Sequence, residues 1–208
     1  VTMRPNEDIF TKKSLQRIEK IENAILEIYG VSQVLSILDA PIVEQPKVSL
    51  SEIGDNIKYL LDESIDLQKA KQEILSNPIY QELIVSKDGS TTAFQILLDK
   101  NESYEILIQQ RYDLLESDKP SALLEVNRKI NEQNLLIQEK EKRIVAEIRS
   151  VIKNNRDFGV LFLGGPAMIA NDMIDFIKSD LSIFSLLVFL IFGFLLYFFF
   201  RDIKLAFI

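Results

Sequence analysis

The chain has 208 residues, 47% of them hydrophobic, and a net charge of −7. It contains no Cys and no His, which excludes disulfides, thiol nucleophiles, zinc sites built on these residues and imidazole acid–base chemistry. Residues 1–180 carry 22 Lys/Arg against 30 Asp/Glu, a net −8, so they offer no basic surface for nucleic acid. Those 180 residues suffice for one sizeable domain or two small ones. No charged n-region followed by an apolar stretch stands near Val1, as a secretory signal would require. An exported domain needs such a signal, so the chain is expected to start inside a longer protein.

Residues 1–5 read as the tail of a strand. In 11-TKKSLQRIEKIENAILEIYG-30, Leu15, Ile18, Ile21, Ile25 and Ile28 recur every three or four residues and give a helix one apolar face. Thr11 is placed to cap its start and Gly30 to end it. The β-branched run 31-VSQVLSIL-38 reads as a second strand, and strand–helix–strand over 38 residues predicts a βαβ unit with parallel strands. Pro41 and Pro46 mark 40–52 as a loop, with Ser51 a cap, and short helices are expected over 51–62 and 67–76. Asp88-Gly89 then signals a tight β-hairpin with strands near 82–87 and 91–99. In the second strand Ala93 should point opposite to Thr92 and Phe94.

From 101 to 156 no Gly occurs and Pro120 is the one Pro, which predicts a helical hairpin with arms near 104–116 and 121–154. Leu123, Ile130, Ile137, Ile144 and Val151 recur every seven residues in the second arm. Such a repeat fits a coiled-coil seam, and equally a helix lying flat on the domain. The first arm is too short to cover that seam, which leaves room for a second copy of the chain in a homo-oligomer, or for another domain.

Last, 159-GVLFLGG-165 reads as a buried strand, and a helix starting near Pro166 or Ala167 meets no breaker before 181-LSIFSLLVFLIFGFLLYFFF-200. That block holds twenty residues without a charge, enough to span about 30 Å of hydrocarbon. Arg201 and Lys204 follow it, while Asp172, Asp175 and Asp180 precede it, so the positive-inside rule puts the C-terminal end in the cytoplasm. A strand feeding a helix that runs straight into the bilayer predicts a rigid strut rather than a flexible tether.

Candidate chemistry is sparse. In 163-LGGP-166 the glycines invite a phosphate-loop reading, but the motif's Lys and its third Gly are missing, so a tight strand-to-helix turn is expected. Asp172, Asp175 and Asp180 share one helix with no supporting loop, a poor metal site and a natural solvated surface. No Ser has a His partner, and the spanning block has no ionisable residue for a proton relay. No enzyme is expected: the sequence names no catalytic residue, no cofactor, no metal ligand and no substrate-binding residue. A cavity between the βαβ unit and the hairpin sheet is the place where a substrate is expected.

Three stretches resemble the resistance-nodulation-division (RND) superfamily, in its hydrophobe and lipid exporter branch related to hopanoid-transport and MMPL-type proteins. They are 1-VTMRPNEDIFTKKSLQRI-18 with 31-VSQVLSILDAPIV-43, then 76-SNPIYQELIVSKDGSTTAFQILL-98, and most specifically 162-FLGGPAMIANDMIDFIKSDLSIFSLLVFLIFGFLLYFFFRD-202. Together they look like a first periplasmic loop and second transmembrane helix. The family's Gly-Gly segment has Pro directly before Met and paired Asp after it; here Pro166 precedes Ala167 and Asn171 stands beside Asp172. The resemblance implies an α+β fold: a ferredoxin-like βαβ porter-type periplasmic domain with a long helical hairpin insertion, followed by one transmembrane helix. The expected division is a porter subdomain over 1–100, a coiled-coil-like hairpin over 101–157, and a completing strand and helix over 158–180. The spanning helix follows over 181–200 and the cytoplasmic start of a next segment over 201–208. The resemblance also implies a multi-pass protein of the bacterial inner membrane, twelve helices in two repeats, with acidic residues in later helices coupling proton flow to export. Its partners would be the bilayer, a lipid or other hydrophobic substrate, and the rest of the transporter polypeptide. An extracytoplasmic sensor or ligand-binding domain on one anchor is the competing expectation.

Overall fold

The computed structural model describes residues 1–44, 57–81, 83–116 and 119–200. The chain is mixed α+β and mostly helical. It divides into two compact units, Val1–Gly165 and Pro166–Ile208.

In the first unit, β1 (Thr2–Pro5) leads into α1 (Lys12–Leu26). Thr11 caps α1 by accepting from the Ser14 backbone N–H. Leu15, Ile18, Ile21 and Ile25 are all buried, at a gain of about 2 kcal/mol each. The helix proper stops at Leu26, a turn earlier than Gly30 implied, though Ile28 still reaches the core. Gly30 adopts φ +101°, and a Cβ there would run into Lys140 Cε and approach Ile144 Cδ1 to 2.8 Å. The backbone conformation therefore requires glycine, and an added Cβ would also force these two side-chain ends to shift.

β2 (Val31–Leu35) follows, then a short 3₁₀ turn, Ile37–Asp39. Ser36 and Asp39 cap that turn reciprocally, and the Ser36 hydroxyl donates to Glu22 Oε2 at 2.5 Å. Of the helix expected over 51–62, residues 51–56 lie outside the described residues, as do Pro46 and the cap Ser51. Residues 57–62 are not helical. There the Ile42 N–H donates to the Lys58 carbonyl, and Asp62 accepts from the Tyr59 N–H at 2.8 Å, taking an acceptor and a donor that a helix would use. α2 (Leu67–Ser76) forms where expected, capped by Asp66.

The hairpin also differs from expectation. Glu82 lies outside the described residues, and the first strand reduces to one bridge, Val85 opposite Thr92. The connection is wider than two residues, because Ser86 N–H bonds Thr91 O across Lys87–Ser90. Asp88 organises this loop by accepting from the Ser86 hydroxyl and from both the N–H and hydroxyl of Ser90. Those bonds pull its carboxyl far below the usual carboxylate range.

The second strand splits into β3 (Thr92–Ala93) and β4 (Gln95–Leu98). Thr92 and Phe94 are buried with Ala93 less so, as the alternation requires. β3 pairs antiparallel with β1, whose other edge takes β5 (Gly159–Phe162), also antiparallel. β4 pairs antiparallel with β2 in a second sheet. β1 and β2, the two strands of the expected βαβ unit, are not hydrogen-bonded neighbours: each is antiparallel to its own part of the β3–β4 run. Both edges of β1 are filled by antiparallel partners, and the bent β3–β4 run lies between β1 and β2. Phe94 marks the bend: its N–H donates to Val1 O at 2.7 Å, and its side chain enters the core.

β5 was expected to be buried throughout. Instead Gly159 and Leu161 face the core while Val160 and Phe162 are 52% and 66% exposed, as an edge strand with one solvated face requires.

The helical hairpin is α3 (Glu102–Leu115) and α4 (Pro120–Asn154). The two halves of α4 are buried in different places. Ile144, Ile148 and Ile152 belong to the main core, whereas Val126 and Ile130 are buried farther out, where α3 runs alongside. α3 itself buries no residue fully. At the base, Arg17 braces the end of α4, donating to Asp157 at 2.9 Å and Asn155 at 3.1 Å and lying over the Phe158 ring.

Among the described residues the second unit is one helix, α5 (Pro166–Phe200), unbroken through the apolar block as expected.

Candidate functional site

Two features stand out as functional candidates: helix α5 and a cleft at the root of the helical hairpin. Each is built from residues that the sequence places far from polar chemistry or far apart in the chain.

α5 is long and apolar enough to cross a membrane, the one such helix among the described residues. At 1.5 Å per residue its 35 residues reach about 52 Å, against about 30 Å of hydrocarbon. The excess lies before Leu181 and holds Asp172, Asp175, Lys178 and Asp180. Within the block, Leu186, Phe189, Leu190 and Phe194 are all largely exposed, which suits a lipid solvent rather than water. Two polar side chains of α5 bond its own backbone: Asn171 Nδ2 donates to Ala167 O and Ser182 Oγ to Lys178 O, each at 2.9 Å.

The residues weighed for chemistry stay apart from one another. Gly165 has φ +119° directly before Pro166, so the Gly-Gly segment works as the turn that starts α5. Asp172, Asp175 and Asp180 lie along α5, and no group of three acidic residues able to hold a metal occurs among the described residues.

The cleft is a space of about 640 Å³ bounded by the segment Leu98–Glu105 and by Gln133–Ile144 of α4. Its apolar surface comes from Leu98, Tyr104, Leu136 and Ile137, with the core residue Ile144 at its floor. Asn101 opens it structurally, capping α3 by accepting from the Tyr104 N–H at 3.0 Å. Lys140 crosses one side, bonding Asp99 at 3.2 Å and covering the Tyr29 ring at 5.5 Å. The expectation placed a cavity against the hairpin sheet; this one sits where β4 hands over to α3, against the middle of α4. The periodicity of α4 did signal it in part, since Ile137 and Ile144 are heptad positions that α3 does not cover.

A smaller polar cleft of about 280 Å³ lies over the Arg17 brace, with Lys13 held to Glu7 at 2.6 Å on its rim. The Lys13–Glu7 and Arg17–Asp157 ion pairs account for four of its five charged side chains, with Lys20 the fifth. Near it, the Lys71 ammonium hydrogen-bonds Asp8 at 2.7 Å and, with the Phe10 N–H, holds that carboxyl below its ordinary value. Glu22 behaves oppositely: burial pushes its carboxyl up, against the bond from Ser36, with Asp39 and Glu19 adding to the rise.

No protein-family model matches the chain, and neither a curated protein nor a solved structure matches it.

Proposed function

We propose that the chain is the extracytoplasmic porter domain and one spanning helix of a proton-driven RND-type exporter of the bacterial inner membrane, moving lipids or other hydrophobic compounds. The observation that carries this reading is α5: one uninterrupted helix runs from the Gly-Gly turn through a charge-free block long enough to span a bilayer. The flanking charges orient it, with Arg201 and Lys204 on the cytoplasmic side and residues 1–180 outside. The strand pairing adds support. Read through the bend at Phe94, the order is β2, β4–β3, β1, β5, with every neighbouring pair antiparallel. A ferredoxin-like sheet has this order when its third strand is broken in two. In this reading α1 is its first helix, and the hairpin with α4 stands in for its second. Because the block has no ionisable residue, proton coupling belongs to other helices of the exporter.

The competing reading is a membrane-anchored extracytoplasmic sensor or ligand-binding domain. A flux experiment separates the two. Cells producing the protein that contains this segment are loaded with a fluorescent lipid, and outward movement is followed with and without a protonophore. Export predicts efflux that the protonophore abolishes. No efflux, together with a ligand-dependent signalling output, overturns it in favour of the sensor.

A further inference from the structure

We infer that the cleft at the hairpin root binds a hydrophobic cation, an aliphatic or aromatic body carrying one ammonium group. Its volume of about 640 Å³ falls within the usual range for small-molecule sites, roughly 300–1,000 Å³. The wall formed by Leu98, Leu136 and Ile137 suits an apolar body.

Charge chooses the ligand's head group. Four carboxylates line the cleft, Asp99, Glu102, Glu105 and Glu141, against two ammonium groups, Lys100 and Lys140. The excess is two negative charges. Asp99 and Lys140 neutralise each other. Glu102 and Glu105 occupy the first turn of α3, where the helix dipole stabilises acids. Glu141 has no such structural reason. It is half-buried on α4, faces the cleft, and makes no hydrogen bond or ion pair among the described residues. A bound ammonium group would complete it, whereas an anionic head group would meet uncompensated repulsion. The inference deepens the export reading by naming a substrate class. It rests on that reading only for transport; the binding step stands on the cleft itself.

The chain has no Trp, so Leu136→Trp gives a single fluorescent reporter at an exposed position on the cleft wall. The full chain in a nonionic amphipol is titrated with octyltrimethylammonium, octyl sulfate and octanol, each below its micellar concentration. Calorimetry on the unmodified chain repeats the series, in case the reporter disturbs folding. A saturable response to the cation is expected, with octyl sulfate about tenfold weaker or worse. Glu141→Gln should shrink the cation-to-sulfate ratio by about threefold and leave octanol unchanged. No saturable cation binding, equal binding of the sulfate, or an unchanged ratio in the Glu141→Gln protein overturns the inference. Cation binding without any cellular efflux overturns export and leaves this site standing; lipid efflux without cation binding does the reverse.

Discussion

Truncating the two halves of α4 should have different consequences, and Ile144→Ala against Ile130→Ala measures that difference. Ile144 is 1% exposed and packs into the core beside Gly30. Ile130 is also buried, but out along the hairpin, where α3 offers no fully buried residue of its own. Removing a buried isoleucine down to alanine costs about 2–5 kcal/mol, and about 3 kcal/mol is expected for Ile144. That is a large fraction of a typical domain stability of about 5–15 kcal/mol. It corresponds to about a hundredfold change in the opening equilibrium of the best-protected amides. Hydrogen exchange by mass spectrometry on the full chain in lipid nanodiscs reads this directly. In Ile144→Ala, exchange should accelerate through α1, β1 and β5 as well as α4, because the whole core loses stability. In Ile130→Ala, acceleration should stay within α3 and the first half of α4, as a local opening. If Ile144→Ala left the α1 amides unchanged, or Ile130→Ala accelerated them equally, the division of α4 into a core half and a hairpin half would be wrong.

Three further outcomes follow from single residues. Gly30→Ala should destabilise the first unit by about 2 kcal/mol or more in urea unfolding, from positive-φ strain plus the clash with Lys140 and Ile144, and wild-type stability would refute this. Glu22 has a raised carboxyl, so its favourable contribution is full below the ordinary glutamate value of about 4.3 and is lost as pH rises through the raised folded value. Glu22→Gln should therefore be the more stable protein at pH 7, with the gap closing as pH falls to about 4; a gap that widens on acidification would contradict the burial argument. Leu190→Asp places a charge near the centre of the apolar block at a cost of about 3 kcal/mol, and should lower the fraction of chains resistant to carbonate extraction.

Local features were readable in the sequence because local residues determine them. The absence of Gly and the position of Pro120 delimit α4, and Thr11 marks the start of α1. The uninterrupted run after Pro166 foretells α5. Strand pairing was not readable, because it depends on which distant edge each strand meets. Nothing in 91–99 announces that Phe94 turns the run from β1 to β2. Residues 57–62 carry a helix-compatible pattern, yet Asp62 takes the Tyr59 donor and the Ile42 donor goes to Lys58 O. The cleft was hidden for the same reason, since its two walls lie some thirty residues apart and meet only when α4 folds back along α3. Its heptad residues, Ile137 and Ile144, were visible as a seam without showing what the seam would leave open.

The most direct test of the central claim is the sidedness of the two ends of α5. The chain has no cysteine, so Glu63→Cys and Lys204→Cys each provide one reactive thiol. A membrane-impermeant maleimide is applied to spheroplasts, intact and then permeabilised. An extracytoplasmic domain on a spanning α5 predicts that Glu63→Cys is labelled in intact spheroplasts and Lys204→Cys only after permeabilisation. Labelling of both before permeabilisation, or of Glu63→Cys only after it, would contradict the account.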